Sequence, residues 1–400
     1  MMKHLLTALL LTCTITLSAQ QAKGPVMGWA SWNNYHVNID ENIVKSQADA
    51  MARNGMKDVG YRYINTDDGY FGGRDAKGNL LVHRQRFPHG MKALADYIHA
   101  KGLKAGIYSD AGINTCGCHY DKDTISSGCG LYGHDRQDLK RMLCDWGFDF
   151  IKIDWCGGDW MGLDEQTRYT QLGKIIYEFR PDAVFNVCRW QFPGKWVCSV
   201  ADSWRISGDI SDKFESIMHI VDLNADLWPY CSAGHYNDMD MLQIGRGMSY
   251  EEDKTHFTMW CMMVSPLLAG NDLTTMSKKT LEILTNKEII ALNQDPLFYQ
   301  ARRLSDKGTQ EVWGKPLVHT MSGQVAVTLL NRSESPADVS FSLAQVGIDA
   351  SKGYSMRDLW IKKDYSRSME KERVFRVPGH GVVTLLIKGT SLPFNVFQMK

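Results

Sequence analysis

At 400 residues the chain has room for two domains, or one large barrel with an appendage, and is too long to be a small peptide scaffold. Lys+Arg 45 balance Asp+Glu 45, so no whole-chain field draws in nucleic acid or anionic lipid. With 44% hydrophobic and 22% charged residues the composition supports a substantial core and excludes a disordered protein.

Residues 1–19 read as a secretory signal peptide: Lys3 precedes an apolar run over 5–17, and Leu17-Ser18-Ala19 puts a small residue at the cut. That run is too short for a membrane span, and no later stretch reaches 18 apolar residues. The expected location is therefore secreted or periplasmic. Removing Cys13 leaves nine cysteines in a compartment that permits disulfides, so at least one stays free or pairs outside the chain. Paired CxxC, HExxH and HxH spacings are absent, and no metal or cofactor is expected. Cys116-Gly-Cys118-His119 reads as disulfide chemistry in a loop.

From residue 26 to about 295 a short apolar run repeatedly ends in a polar cluster and is followed by an amphipathic, helix-like stretch. Eight such runs fall at 27–32, 61–68, 103–110, 148–156, 183–188, 203–209, 235–241 and 265–270. Helical segments include 40–54, 91–101, 134–146, 164–179, 250–262 and 277–293. Eight β/α units closing on themselves make a TIM barrel, with its site at the C-terminal strand ends. A doubly wound open sheet would bring a Gly-rich phosphate loop, which is absent. After Pro296 short β runs take over, at 312–313, 318–321, 325–331, 339–343, 354–360, 374–377 and 382–387. The expected fold is α/β: a (β/α)8 TIM barrel over 24–296, then a C-terminal antiparallel β-sandwich over 297–400. With no low-complexity linker between them, the two should pack together.

Six carboxylates stand where strands open into the barrel mouth: Asp67, Asp68, Asp154, Asp209, Asp238 and Asp240. Burying an ionised group costs several kcal/mol unless it is paired, so their repetition points to a polar ligand or a cation. Capping and turn formation is the alternative, and suits Asp110 and Asp238 best. Lys152 and Asp154 lie two apart on one strand and face the same way, so the ammonium should favour an ionised Asp154, as a nucleophile requires. A buried ion pair with no catalytic role fits the same spacing. Asp209, close to another carboxylate, should be held protonated by like-charge repulsion and serve as a general acid. Two carboxyl groups with opposed protonation are what glycoside hydrolysis needs. Arg205 would reach sugar hydroxyls or make a salt bridge inside the barrel.

Met27-Gly28-Trp29 through Trp32, Asn65-Thr66-Asp67-Asp68-Gly69-Tyr70, Lys152-Ile153-Asp154, Trp204-Arg205 with Gly208-Asp209, and Asn237-Asp238-Met239-Asp240-Met241-Leu242 together resemble the signature blocks of glycoside hydrolase family 27. This family comprises α-galactosidases and α-N-acetylgalactosaminidases. The blocks come in the family's order, and Arg357-Asp358-Leu359-Trp360 extends the likeness into the tail. The resemblance implies a retaining double displacement without metal or cofactor, with Asp154 as nucleophile and Asp209 as acid/base. It implies Asp67 and Asp68 at the 4- and 6-hydroxyls of galactose, Lys152, Arg205 and Asp240 at the others, and Trp32 and Met241 as apolar wall. Cys188-Arg189-Trp190 resembles the Cys-x-Trp pair of plain galactosidases, whose Trp would clash with an N-acetyl group. Family precedent joins Cys116 to Cys156, leaving Cys118 with Cys129, and Cys188 with Cys198, as further possible bridges. Arg189 departs from the family's usual acidic residue and should alter the mouth.

The expected partner is a small-molecule carbohydrate bearing a terminal α-D-galactosyl residue, with no nucleic acid and no membrane span; the oligomeric state stays open. Alternatives are an α-N-acetylgalactosaminidase, a β-L-arabinopyranosidase and a non-catalytic galactoside-binding protein. The second normally follows loss of an acidic residue that is present here. A serine hydrolase would need GxSxG, which is missing.

Overall fold

The structure is a computed structural model that describes residues 24–393 and 397, so the signal-peptide reading of 1–19 lies outside the described residues. Eight parallel strands make one sheet: β1 (Met27–Ala30), β2 (Tyr63–Thr66), β3 (Lys104–Asp110), β4 (Phe150–Asp154), β5 (Val184–Val187), β6 (Ser203–Arg205), β7 (Tyr236–Asp238) and β8 (Leu267–Ala269). Their order is β8-β1-β2-β3-β4-β5-β6-β7. Closure comes just beyond β7, where Leu242 bridges Ala269 in parallel, its N–H donating to Leu268 O at 2.7 Å.

The strands are buried on both faces, as parallel strands under helices must be. In β4 the alternation assigns each side chain. Ile151 and Ile153 join the large core beneath the helices, while Phe150 joins a smaller cluster with Val26, Ala30, Val184, Met241 and Leu268 that fills the barrel interior. Lys152 and Asp154, on the same side as Phe150, therefore emerge above that plug at the C-terminal end.

Helix starts are set by side-chain caps. Asp40 accepts from Ile43 N at 2.8 Å to begin Glu41–Arg53, and Asp164 accepts from Thr167 N at 2.9 Å to begin Glu165–Phe179. Ser249 and Glu252 form a capping box ahead of Tyr250–Met262. The predicted helix over 277–293 is two helices, Lys278–Leu284 and Lys287–Asn293, because Asn286 turns its side chain to Glu288 N and Ile289 N and starts a new one. The segment 134–146 is α-helical only over Asp135–Lys140 and continues as a wider π-type turn through Asp145. A helix at Phe214–Asn224, not named from the sequence, serves the sixth unit.

The C-terminal strands are β9 (Arg302–Asp306), β10 (Gln310–Pro316), β11 (Gln324–Asn331), β12 (Ala337–Ser342), β13 (Tyr354–Asp358), β14 (Lys363–Ser368), β15 (Glu372–Val377) and β16 (Val382–Lys388). They form an antiparallel sheet β9-β10-β11-β16-β13-β14 and a smaller pair β12-β15. Along β11, Val325, Val327 and Leu329 face the sandwich core, while Ala326 and Leu330 join the barrel's own core with Trp313 and Leu359. Both faces of the sheet are thus used, and the two halves pack together: Trp360 Nε1 donates to Thr258 Oγ1 at 3.0 Å and Thr255 Oγ1 to His380 O at 2.7 Å. The run at 318–321 is no strand. It is the loop between β10 and β11, with Val318 46% and Met321 69% exposed, and it turns through Gly323 at φ 84°.

Candidate active site

At the C-terminal ends of the barrel strands lies a cavity of about 550 Å³. Trp32, Asp67, Lys152, Asp154, Trp190, Arg205, Asp209, Asp240 and Met241 share its wall with Cys116 and Cys156, so residues scattered over two hundred positions converge. Two predicted residues do not reach it. Asp68 has no exposed surface; its carboxylate accepts from Gly69 N at 2.7 Å and Gly117 N at 2.8 Å, behind Asp67. Cys188 is 1% exposed, with its Sγ 3.8 Å from an Arg205 nitrogen.

Charges alternate across the floor. Lys152 Nζ lies 2.9 Å from Asp67 Oδ2 and 3.9 Å from Asp154 Oδ2. Burial works against this ammonium, but Asp67 and Asp154 outweigh it and hold the proton firmly. Arg205, 3% exposed, reaches Asp240 Oδ2 at 2.9 Å and Asp209 Oδ1 at 3.0 Å. Asp240 takes a left-handed backbone at φ 75°, which costs a non-glycine residue on the order of 1 kcal/mol. The turn is held because its side chain also accepts from Ile210 N and Met241 N.

These positions reverse the electrostatic expectation for the carboxyl pair. Burial raises the Asp154 carboxyl above its usual range, and Lys152 offsets only part of that. Desolvation also pushes Asp209 up, but Arg205 and then Lys152 outweigh it and bring it below the usual range. The reason is distance. Lys152 sits closer to Asp67 than to Asp154, while Asp209 touches a guanidinium instead of a carboxylate. Asp209 is also the exposed member, at 68% for its side chain against 8% for Asp154.

Asp68 has a consequence for stability. Burial raises its carboxyl from 3.8 to about 7, against hydrogen bonds that lower it. A folded value above the unfolded one contributes stability that is complete below the unfolded value and is lost as pH rises through about 7. Urea unfolding at pH 4 and pH 7 should show Asp68→Asn losing much of this pH-dependent decline; an unchanged decline would remove Asp68 as its source.

Support lies behind Asp154. Asp110 accepts from Gly112 N at 2.7 Å and Gly157 N at 3.0 Å, the turn role expected of it. A side chain on Gly112 would collide with Gly157, so only glycine lets these two loops meet. Asp238 likewise braces the wall, accepting from Asn186 Nδ2 at 2.8 Å and Asp240 N at 2.9 Å. Cys116 and Cys156 are joined as a disulfide closing a 40-residue separation, while Cys118, Cys129, Cys188 and Cys198 are all free, so neither further bridge forms. Asp110, Cys116 and Cys156 are also the one potential metal-ligand group found among the described residues, but its sulfurs are bonded to each other and offer no thiolate. Replacing Cys116 and Cys156 together by Ser should lower the unfolding free energy by about 3–4 kcal/mol in urea titration; an unchanged midpoint would contradict that.

Sequence reasoning missed part of the wall. Tyr108 shares the inward parity of β3, and Lys152 Nζ lies 5.3 Å from its ring centre, so strand alternation could have found it. His36 and Asp121 come from turns and Tyr120 from the end of the short helix Cys116–Tyr120, with His36 Nδ1 3.2 Å from Asp121 Oδ1, and no periodicity announces them.

The family described as "Alpha galactosidase A" matches residues 24–295, and the "Alpha galactosidase C-terminal beta sandwich domain" matches 307–387. The chain belongs to the alpha-galactosidase family. Alpha-galactosidase A of Cellvibrio japonicus is 39% identical over 416 residues, covering 96% of this chain and 99% of the relative. Alpha-galactosidase 2 of Arabidopsis thaliana is 41% identical over 350 residues, covering 86% and 85%. The crystal structure of alpha-galactosidase I from Mortierella vinacea superposes with a TM-score of 0.85 at 32% identity, covering 92% of this chain and 98% of that one. As an alpha-galactosidase family member the chain is a glycoside hydrolase. Its Arg189 is not on the cavity wall: Nε lies 2.9 Å from Glu165 Oε2, and the guanidinium sits 5.3 Å over the Trp190 ring. The guanidinium thus covers the Trp190 ring, which itself lines the cavity.

Proposed function

We propose that the chain is a secreted, exo-acting α-galactosidase that removes terminal α-D-galactosyl residues with retention of configuration. The observation that carries this reading is the pairing in one cavity of a buried carboxylate, Asp154, with an exposed one, Asp209, between two fixed cations. A cavity of this size, with a hydroxyl-binding floor and the apolar faces of Trp32 and Met241, suits one sugar ring with its leaving group at the mouth. Export is supported by the Cys116–Cys156 disulfide, which persists in oxidising compartments. Among the described residues no helix is long and apolar enough to cross a membrane.

In the first step Asp154 attacks the anomeric carbon, the bond to the leaving oxygen breaks, and Asp209 gives its proton to that oxygen. Asp209 must therefore be protonated when the leaving group arrives. With Arg205 beside it the proton is disfavoured, so Asp209 turns from the guanidinium to the leaving oxygen, and Arg205 keeps Asp240 as its partner. Away from Arg205 and near the Asp154 carboxylate, Asp209 takes up a proton from solvent and holds it until the leaving oxygen accepts it. In the second step Asp209 takes a proton from water entering at the mouth, the water oxygen attacks the anomeric carbon, and the Asp154 carboxylate is released. Asp67, Lys152 and Asp240 bind hydroxyls, and Asp68 acts by holding Asp67 and Gly117 in place.

Trp190 lines the cavity, and at the 2-position that the Cys-x-Trp resemblance implies for it, the indole would disfavour a bulky 2-substituent. Rates on the 4-nitrophenyl derivatives of α-D-galactose, N-acetyl-α-D-galactosamine and β-L-arabinopyranose test the choice of sugar. The first should be fastest; no release from it would overturn the reading.

A further inference from the structure

The short helices Cys116–Tyr120 and Cys156–Trp160 follow β3 and β4 and are tied to each other by the disulfide in the cavity wall. Their last residues come to the surface, Tyr120 at the cavity and Trp160 one ring further out across His119. Tyr120 is 67% exposed and also lines the cavity, and Trp160, at 72%, is the most exposed large hydrophobic side chain among the described residues. The Trp160 indole is backed on one side. His119 lies parallel to it, ring centres 5.0 Å apart and planes within 2°, with the Tyr120 ring 6.2 Å from His119. Burial lowers the His119 pKa and so disfavours a charge on the backing ring. An indole so backed and still this exposed presents its other face to solvent.

Such a surface has a cost in water, about 25 cal/mol per Å² of apolar area, that a ligand would recover. A protein interface needs upward of about 1,000 Å². Here the exposed aromatic surface is only two side chains, Tyr120 and Trp160, joined through the His119 ring, with the exposed charged residues Lys122 and Asp159 close to them in sequence. Its width, and its continuity with the cavity through Tyr120, fit a pyranose ring, which offers one C–H-rich face to an aromatic and hydroxyls to polar neighbours.

We propose that Trp160, backed by His119 and continued by Tyr120, is an outer subsite that stacks a sugar ring of the leaving group, so that galactosyl units carried on a saccharide of several rings are preferred. The proposal rests on the α-galactosidase reading and adds to it the class of natural substrate.

The test compares Trp160→Ala and Trp160→Phe with the parent on a mannotriose bearing one α-1,6-galactosyl branch and on 4-nitrophenyl α-D-galactopyranoside. The ratio of kcat/KM for the branched saccharide to that for the nitrophenyl compound should fall about fivefold in the Ala variant and largely recover in the Phe variant. An unchanged ratio in an enzyme that does cleave the nitrophenyl compound overturns the subsite while leaving the activity intact. If no galactoside is cleaved, the activity reading fails, and calorimetry of the branched saccharide in an Asp154→Asn background still decides: equal affinity with and without Trp160 overturns the subsite. Sedimentation showing that Trp160→Ala dissociates an assembly of the parent would assign the strip to self-association instead, and also overturns it.

Discussion

Asp154→Asn is expected to lower kcat on 4-nitrophenyl α-D-galactopyranoside by about ten-thousandfold or more, with the fold intact. The two halves of that expectation have separate causes. An amide oxygen can still accept from Trp155 N, as Asp154 Oδ1 does at 3.0 Å, and Lys152 keeps its nearer partner, Asp67 at 2.9 Å, so no buried charge is stranded. Chemically, the amide is no nucleophile and leaves the glycosyl-enzyme unformed. Circular dichroism and urea unfolding check the fold, and steady-state rates check the loss. A variant within tenfold of the parent rate would remove Asp154 from the chemistry.

Asp209→Ala should show a loss that depends on the leaving group. An alkyl or sugar oxygen leaves poorly without a proton, so kcat/KM on melibiose should fall about a thousandfold. Nitrophenolate needs little help, and the fall on the nitrophenyl substrate should be much smaller. The second step then becomes limiting, because water has lost its base. Azide, which needs none, should restore turnover and give α-galactosyl azide. Stability should change little, since Asp209 is the exposed carboxylate and Arg205 retains Asp240. Equal losses on both substrates, with no azide product, would contradict the acid/base role.

The barrel was legible because each unit repeats one physical pattern, an apolar run ending in polar residues and then an amphipathic stretch. The alternation Ile151-Lys152-Ile153-Asp154 was enough to place two side chains at the mouth. Edge strands were not legible: β9 and β14 are rich in charged and polar residues and read as loop. Within the site, residue identity was readable and pairing was not. Asp209 looked like the neighbour of a carboxylate, but the local turn after β6 puts Arg205, four residues earlier, against it. Asp68 is adjacent to Asp67 in sequence, yet only the path of the chain through Gly69 and Gly117 turns it away from the cavity. The aromatic strip of His119, Tyr120 and Trp160 depends on two short helices far apart in sequence meeting through a disulfide, which no local pattern encodes.

The central claim is a double displacement through Asp154, and its stereochemistry tests it most directly. Proton NMR of the sugar first released from 4-nitrophenyl α-D-galactopyranoside, recorded before mutarotation, should show the α-anomer. First appearance of the β-anomer would mean a single displacement by water and would contradict Asp154 as a nucleophile.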